Sequence, residues 1–277
     1  MAEKQQQFRQ ASIEDPKNYL RLEGREHGSY SYGDLFVSTH RLQYGPLVEQ
    51  AAKSLGLRVQ NTAQEKDGWE YIGQIKHKNA LMLNLTLDGR TLNPRQWIDF
   101  LLDLRDGALG KKIIYHGSGD KAEDKLLEEI YQEIACVRDP WRGEQLDANF
   151  SFFDGARNIN YDHKIQNRVL VPQRIEQLEP YLERNGDKVV LKDFNRQGLA
   201  IKEDNNGEIY FWAPFDGSVA GFIAYSDRAG LGCDWGPADS GPQLGVRRVR
   251  ENFDFSNLDV LSNSASSENL ESSRRKK

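Results

Sequence analysis

The stretch Gly217–Arg250, GSVAGFIAYSDRAGLGCDWGPADSGPQLGVRRVR, is rich in small residues and poor in strong helix formers. Its first half alternates as a half-buried strand does, because successive side chains of a strand point to opposite faces. One face carries Ala220, Phe222, Ala224 and Ser226. The other carries Gly221, Ile223, Tyr225 and Asp227. The second set has no common chemistry, which is typical neither of a core nor of an ordinary solvated surface.

The composition of the whole chain indicates a globular protein. Its 277 residues are 38% hydrophobic and 29% charged, which allows a core and a well-solvated surface. No apolar run approaches the roughly 20 residues that span a bilayer, and the first residues lack the apolar run of a secretory signal. We therefore expect no membrane insertion and a cytoplasmic location by default, with display on a cell surface or a virion as the alternative.

Charge and cysteine content narrow the classes of partner and cofactor. The net charge of −5 argues against a protein that binds nucleic acid by neutralising phosphates. The two cysteines, Cys136 and Cys233, cannot form a four-thiolate zinc site and do not form a CxxC pair, so we expect free thiols. Neither an HExxH motif nor an EF-hand loop occurs. We expect no metal and no other cofactor.

The first half of the chain carries clear signals for secondary structure. Apolar spacing predicts an amphipathic helix over Pro46–Leu55. Leucines alternate over Leu81–Leu87 before an Asp88-Gly89 turn, which predicts a strand. Asn93 as cap, Pro94 in the first turn and Gly107 past the end predict the clearest helix.

The second half is predicted to be richer in strands. A second main helix is expected over roughly Lys121–Val137 with Asp120 as its cap, and a short helix over Leu178–Arg184. Two alternating runs joined at Asp154-Gly155 predict a hairpin, and strands with long loops follow from Val189 onward. The expected class is α+β, with two main helices packed on antiparallel strands with long loops.

The composition also predicts how the chain is organised. Residues 1–18 are interpreted as a flexible N-terminal extension and residues 254–277 as a disordered polar tail. Between them, no low-complexity linker interrupts residues 19–253. We therefore expect a single domain there.

Signals for catalysis are weak. There is no GxSxG elbow, and the histidines lie in five separate contexts that we interpret as structural: His27, His40, His77, His116 and His163. The segment Gly117–Lys121 precedes a predicted helix, where backbone N–H groups can bind a phosphate. We favour the alternative that it is a loop leading to the N-cap of that helix. The charges around Trp141, over Arg138–Asp147, fit either an active site or a buried ion-pair corner. We favour the corner, because Pro140 ends the preceding helix.

Several blocks of the sequence resemble a known family. The quoted stretch has the framework Ser218, Val219, Ala220, Phe222, Ala224, Ser226, Ala229, Leu231, Cys233, Pro237, Ser240, Leu244, Gly245, Val246 and Arg247. The upstream blocks are NPRQWIDFLLDLRDG, EIACVRDPWRGEQLDANF, NINYDH and GEIYFWAP. Together they resemble archaeal variable proteins of diversity-generating retroelements, with a C-type-lectin-like (formylglycine-generating-enzyme-like) fold. The resemblance implies a constant part, 19–217, a variable region, 218–250, and receptor-type or adhesion-type binding of a protein or carbohydrate ligand.

The genetic code supports this resemblance. Replacing the adenines of an AAC or AAT codon yields Gly, Asp, Ile and Tyr among others, and AGG yields Trp. The candidate ligand-binding positions are Gly221, Ile223, Tyr225, Asp227, Gly230, Gly232, Asp234, Trp235, Gly236, Ala238, Asp239, Gly241 and Gln243. In this interpretation these positions point to solvent. Ile223, Tyr225 and Trp235 anchor the ligand. The residues that shape the surface are Gly221, Gly230, Gly232 and Asp234.

Two other functions remain as alternatives. One is an oxidoreductase of the formylglycine-generating type, which the same resemblance implies and which relies on a reactive cysteine pair and a metal. The other is a structural, virion-associated protein. Because Cys136 and Cys233 lie in unrelated contexts, we favour a non-enzymatic binding protein.

Overall fold

The computed structural model describes residues 13–57, 60–64, 70–137 and 140–253, and for 60–64 and 70 the backbone alone. Residues 1–12 of the expected extension and the whole expected tail, 254–277, lie outside the described residues. The chain is a mixed α+β protein, as its sequence predicts. In the part of the chain that the structure describes, no helix is long and apolar enough to cross a membrane.

The elements have the following bounds. The α-helices are α1 (Pro46–Ser54), α2 (His77–Thr86), α3 (Pro94–Ala108) and α4 (Asp124–Ala135), and a 3-10 helix covers Pro16–Asn18. The strands before α4 are β1 (Tyr19–Leu22), β2 (Arg25–His27), β3 (Tyr30–Tyr32), β4 (Leu35–Arg41), β5 (Gln60–Gln64) and β6 (Glu70–Gly73). Those after it are β7 (Arg142–Phe153), β8 (Ala156–Gln166), β9 (Val169–Gln177), β10 (Asp187–Val189), β11 (Ile209–Trp212), β12 (Val219–Ala224), β13 (Ala229–Trp235), β14 (Leu244–Gly245) and β15 (Arg247–Arg250).

The main sheet contains eight of these strands. Their order is β10-β11-β13-β12-β7-β8-β9, with β14 also paired to β7. The pairs β11–β13 and β14–β7 are parallel and the other neighbours are antiparallel. A second sheet joins β1, β4 and β15, so the end of the quoted stretch pairs with a strand from the beginning of the chain.

The helices α3 and α4 cover one face of the main sheet. Trp97 of α3 packs on Phe222 of β12, with ring centroids 5.7 Å apart. Leu127 and Ile130 of α4 lie in the same buried cluster. Fully burying one side chain of this size contributes roughly 1.5–3 kcal/mol. The face of β12 that carries Phe222 is therefore the structural face of the quoted stretch.

Several predicted elements are confirmed. Helix α1 matches the expected amphipathic helix, and β7 and β8 form the expected hairpin, with Asp154 and Gly155 at φ of 50° and 77°. In α3, the Asn93 side chain accepts the Gln96 N–H at 3.1 Å and the Gln96 side chain accepts the Asn93 N–H at 3.2 Å. This reciprocal capping box fixes the start of the helix.

The strand predicted over Leu81–Leu87 is wrong, because residues 81–86 belong to helix α2 and Leu87 is its C-cap. The buried positions His77, Ala80, Leu81 and Asn84 follow helical spacing. Leucine, alanine and methionine favour a helix intrinsically, and the segment lacks a run of β-branched residues. The leucines alternate in the sequence as the apolar residues of a strand do, but the buried positions follow the period of a helix.

Three other local expectations need correction. Helix α4 begins at Asp124 with Glu123 as its N-cap, because the Asp120 carboxylate accepts the Ser118 hydroxyl within the preceding loop instead. Residues 178–184 form no helix, and Pro180 within them cannot supply an interior helical N–H. Gly107 lies inside α3, where a Cβ would come within 2.6 Å of Leu127, so this glycine lets α4 approach.

Candidate ligand-binding site

The alternation of the quoted stretch is confirmed by the pairing of β12 with β13. Gly221 lies opposite Gly232, and Ile223 lies opposite Gly230. Because successive side chains alternate, these four positions share the face opposite Phe222, which we call the outer face. The residues with no common chemistry therefore do lie together on one side of the sheet.

The expectation that all of these positions point to solvent is wrong. Gly221, Gly230 and Gly232 are buried, and Ile223 is 5% exposed. Ile223 is therefore not an exposed anchor. The outer face of β12 and β13 is covered by other parts of the chain.

Trp235 provides much of this cover. A Cβ placed on Gly221 would lie 2.2 Å from the indole Cζ3, and one on Gly232 would lie 2.4 Å from Nε1. One on Gly143 of β7 would lie 3.1 Å from Cη2. The indole thus lies across three adjacent strands on a floor of three glycines, and a side chain at Gly221 or Gly232 would displace it.

Gly230 has a similar role in a tighter site. A Cβ there would lie 2.1 Å from the carbonyl oxygen of Tyr210 and 2.8 Å from the Trp212 ring. The first of these neighbours is backbone, which cannot rotate away. Gly230 is therefore required for the parallel pairing of β11 with β13 rather than for shaping an exposed surface.

Several of the candidate residues line an open cavity of about 440 Å³. We call it the aromatic pocket, and it is lined by Trp212, Ile223, Tyr225, Asp227, Arg228, Asp234, Trp235 and Asp239. Tyr225 is 39% exposed. Asp227, Ala238 and Asp239 are exposed, and the half-buried candidates are Asp234, Trp235, Gly236, Gly241 and Gln243. The structure thus brings six of the thirteen candidates to this cavity and places the others beneath or beside it.

Carboxylates dominate the rim of the aromatic pocket. Asp227 pairs with Arg228 at 2.5 Å, and Asp239 accepts the Gly236 N–H at 2.8 Å. Among the described residues, Asp234 has no cationic partner. Burial raises the pKa of the Asp234 carboxyl above its ordinary value, and the negative charge of Asp239 raises it further.

The phenol of Tyr225 responds to the same carboxylates. Burial raises the pKa of Tyr225. The negative charges of Asp234, Asp239 and Asp227 raise it further, and the positive charge of Arg228 lowers it. Four charged groups therefore act on one ring, and three of them are negative. Most of the charged groups that line the aromatic pocket are negative, which favours a positive group over an anion.

Sequence reasoning missed three aromatic residues at or beside the pocket. Tyr210 and Trp212 lie on β11, whose pairing with β13 places them opposite Gly230 and Gly232. Trp141 lies with its ring 6.2 Å from that of Tyr225. The alternation of Tyr210 and Trp212 within GEIYFWAP was the available local signal, but a parallel pair between distant strands leaves no mark in the sequence.

The stretch around Trp141 forms a buried ion-pair corner, as the sequence predicts, although Arg138 and Asp139 lie outside the described residues. Glu144 accepts from Arg142 at 2.5 Å and from Arg247 at 2.8 Å. Burial opposes ionisation of the adjacent Glu133, but Arg142 and Arg247 outweigh it and lower the pKa of Glu133 to about 2. This network ties β7 to α4 and to β15, the last strand of the quoted stretch.

A second cavity, of about 540 Å³, lies beside β8. We call it the charged cleft, and its lining includes Arg90, Asp147, Asp162, His163, Lys164 and Arg250. Asp147 accepts the backbone N–H of His163 at 3.0 Å, and its other oxygen lies 2.5 Å from His163 Nδ1.

The histidines are less separate than the sequence suggests. His77 bonds to the carbonyl of Leu146, and Asp147, the next residue, bonds His163. Burial lowers the pKa of His77 to about 4, so its imidazole is neutral near pH 7. The described residues contain no group of three metal-binding side chains.

Comparison of this chain with protein-family models, curated proteins and solved structures finds no match. The geometry of the aromatic pocket and of the charged cleft is therefore the basis for a functional assignment.

Proposed function

We propose that this protein binds a macromolecular ligand through the aromatic pocket. The observation that carries the proposal is an open cavity of about 440 Å³ walled by Trp212, Tyr225 and Trp235. Ligand sites typically have volumes of about 300–1,000 Å³. Tryptophan and tyrosine supply a large share of the binding energy at interfaces, because they bury much surface with few rotatable bonds.

We further infer that the domain has a C-type-lectin-like fold and that a retroelement diversifies the rim of the aromatic pocket and the loops beside it. Burial of part of the quoted stretch fits such a scaffold, although Ser226, Pro237 and Ser240 of the framework are exposed. The framework residues Val219, Phe222, Leu231, Cys233 and Val246 are buried. Tyr225, Asp227, Ala238 and Asp239 are exposed. Exposed loop positions on a rigid base tolerate replacement, because changing them alters few contacts.

The glycine floor limits which positions can vary alone. A side chain at Gly221 or Gly232 requires Trp235 to move, so we infer that these positions change together. Gly230 lies against backbone and stays glycine. Diversity is therefore expected mainly at Tyr225, the pocket aspartates and the loop over 236–243.

The state of the cysteines favours binding over chemistry of the formylglycine-generating type. Cys136 is exposed and Cys233 is buried, and both are free thiols. Burial raises the pKa of the Cys233 thiol well above its ordinary value, and Asp234 raises it further. Since the thiolate is the reactive form, Cys233 is a packing residue in this proposal.

Selection from a random peptide library on the immobilised full chain tests the proposed function. Selected peptides should lose binding to a Tyr225→Ala variant, which removes an exposed wall of the aromatic pocket and leaves the core unchanged. A matched control is Tyr115→Ala, since Tyr115 is 38% exposed and does not line the pocket. Peptides that bind all three chains equally well would contradict the proposal.

A further inference from the structure

Building on the proposed function, we propose that the aromatic pocket binds a cationic side chain, lysine or arginine, in a basic segment of a protein partner. The proposal rests on the rings of Trp212, Tyr225 and Trp235 together with the carboxylates of Asp234 and Asp239. An aromatic ring attracts a cation to its face through its quadrupole, and nearby carboxylates add a direct attraction.

Trp235 is held in place before any ligand binds. One face of its indole rests on Gly143, Gly221 and Gly232, so the ring does not need to be ordered when a ligand arrives. A pre-organised ring loses little conformational entropy on binding. The rest of the indole lines the cavity, where it is available to a ligand.

Two cationic side chains of the protein itself already lie over an aromatic ring on this side of the sheet. The guanidinium of Arg228 lies 5.6 Å from the centroid of the Tyr210 ring, and the Lys188 ammonium lies 5.8 Å from it. Both distances fall within the range of about 6 Å in which a cation and a ring attract each other. The same chemistry is open to an external cation at the neighbouring rings of the pocket.

The carboxylates that line the aromatic pocket outnumber its cationic side chains. The pocket lining has three carboxylates, Asp227, Asp234 and Asp239, and one guanidinium, Arg228, which is paired with Asp227. The balance is −2, on a chain whose net charge is −5. A bound cation would relieve the repulsion between Asp234 and Asp239, and the overall charge would steer a basic partner toward the protein.

The position of the rim favours a macromolecule as the source of the cation. Tyr225, Asp227 and Asp239 are exposed on the loops that follow β12 and β13. A side chain that projects from another protein reaches such a rim without a channel, and the rim carboxylates suit further basic residues of the same segment. A sugar would also stack on the rings, and it is one of the outcomes to be tested.

The peptide selection described above separates this inference from the proposed function. The selected peptides are sequenced, and their dissociation constants are measured for the wild-type chain, Asp234→Asn, Asp239→Asn and a control, Glu128→Gln. Glu128 is exposed on α4 and does not line the pocket, so this control removes one negative charge elsewhere. Circular dichroism checks that each variant is folded.

The inference predicts peptides enriched in lysine and arginine whose affinity falls about tenfold with either pocket aspartate replaced. The affinity for Glu128→Gln should stay within about twofold of the wild-type value, since surface charges contribute little at a distance in salt. A contrary result would be peptides that depend on Tyr225 but lack basic residues and bind Asp234→Asn as tightly as the wild-type chain. That result would overturn the inference of a bound cationic side chain and would leave the proposed function standing. Selection that yields no peptide dependent on Tyr225, or binding of oligosaccharides in place of peptides, would also overturn the inference.

Discussion

The charged cleft and the aromatic pocket both carry carboxylates, but the chain satisfies them differently. In the cleft, Asp147 is bonded twice to His163, and Asp162 lies 3.3 Å from Arg90. In the pocket, Asp234 has no cationic partner among the described residues. Paired buried charges hold structure together, whereas a carboxylate without a cationic partner beside open aromatic rings costs stability and suits a ligand. The larger cavity is therefore not the better candidate for binding.

The largest expected effect lies in the cleft. Asp147→Asn removes the charge that holds His163, in a pair whose side chains are 4% and 8% exposed. We expect a loss of about 2–4 kcal/mol in the free energy of unfolding, because a buried partner is left poorly satisfied. Urea denaturation at pH 7 measures it. A loss below about 0.5 kcal/mol would show that the cleft is not held by this pair.

The next effect tests the glycine floor beneath Trp235. Gly221→Ala places a Cβ where the indole lies, so we expect a loss of about 1–3 kcal/mol and a shift in tryptophan fluorescence. Gly33→Ala is the matched control, since a Cβ there meets no atom within 4 Å. If both variants are equally stable and their emission is unchanged, Trp235 is not seated on this floor.

The smallest effect on the free energy of unfolding is expected for replacement of Asp234 in the aromatic pocket, and this replacement should stabilise the protein. Because burial and Asp239 raise the pKa of Asp234 in the folded chain, the folded state binds more protons than the unfolded state between the two pKa values. The contribution of Asp234 to stability is thus fully present below the unfolded pKa and is lost as pH rises through the folded pKa.

Asp234→Asn should therefore be more stable than the wild type at pH 7, by at most about 1 kcal/mol after solvent screening. The difference should vanish below the ordinary carboxyl range. Thermal unfolding between pH 3 and 8 measures both. A variant that is less stable than the wild type at pH 7 would contradict the comparison, because Asp234 would then have a stabilising partner.

The contrast between these regions also explains what the sequence could predict. Local signals were sufficient for α3, which Asn93 and Pro94 start, and for the hairpin at Asp154-Gly155. They failed for α2, where tertiary burial of His77, Ala80 and Asn84 decides the period.

The two faces of β12 were also readable from the sequence, but their surroundings were not. The outer face depends on Trp235 folding back over Gly221 and on Trp212 arriving through the pairing of β11 with β13. One sequence does not reveal why a glycine is present. A glycine looks the same whether it permits close approach of a ring or occupies a diversified position.

We propose that the walls of the aromatic pocket and the loops that follow β12 and β13 form a diversified ligand-binding surface. Deep sequencing of this gene across a population of its source tests it most directly. We expect Phe222, Ala224, Leu231 and Cys233 to stay fixed. We expect substitutions to concentrate at Tyr225, Asp227, Asp234, Trp235, Ala238 and Asp239. Changes at Gly221 or Gly232 should occur in molecules in which Trp235 has also changed. Substitutions spread evenly along the reading frame, or absent from this stretch, would contradict the claim.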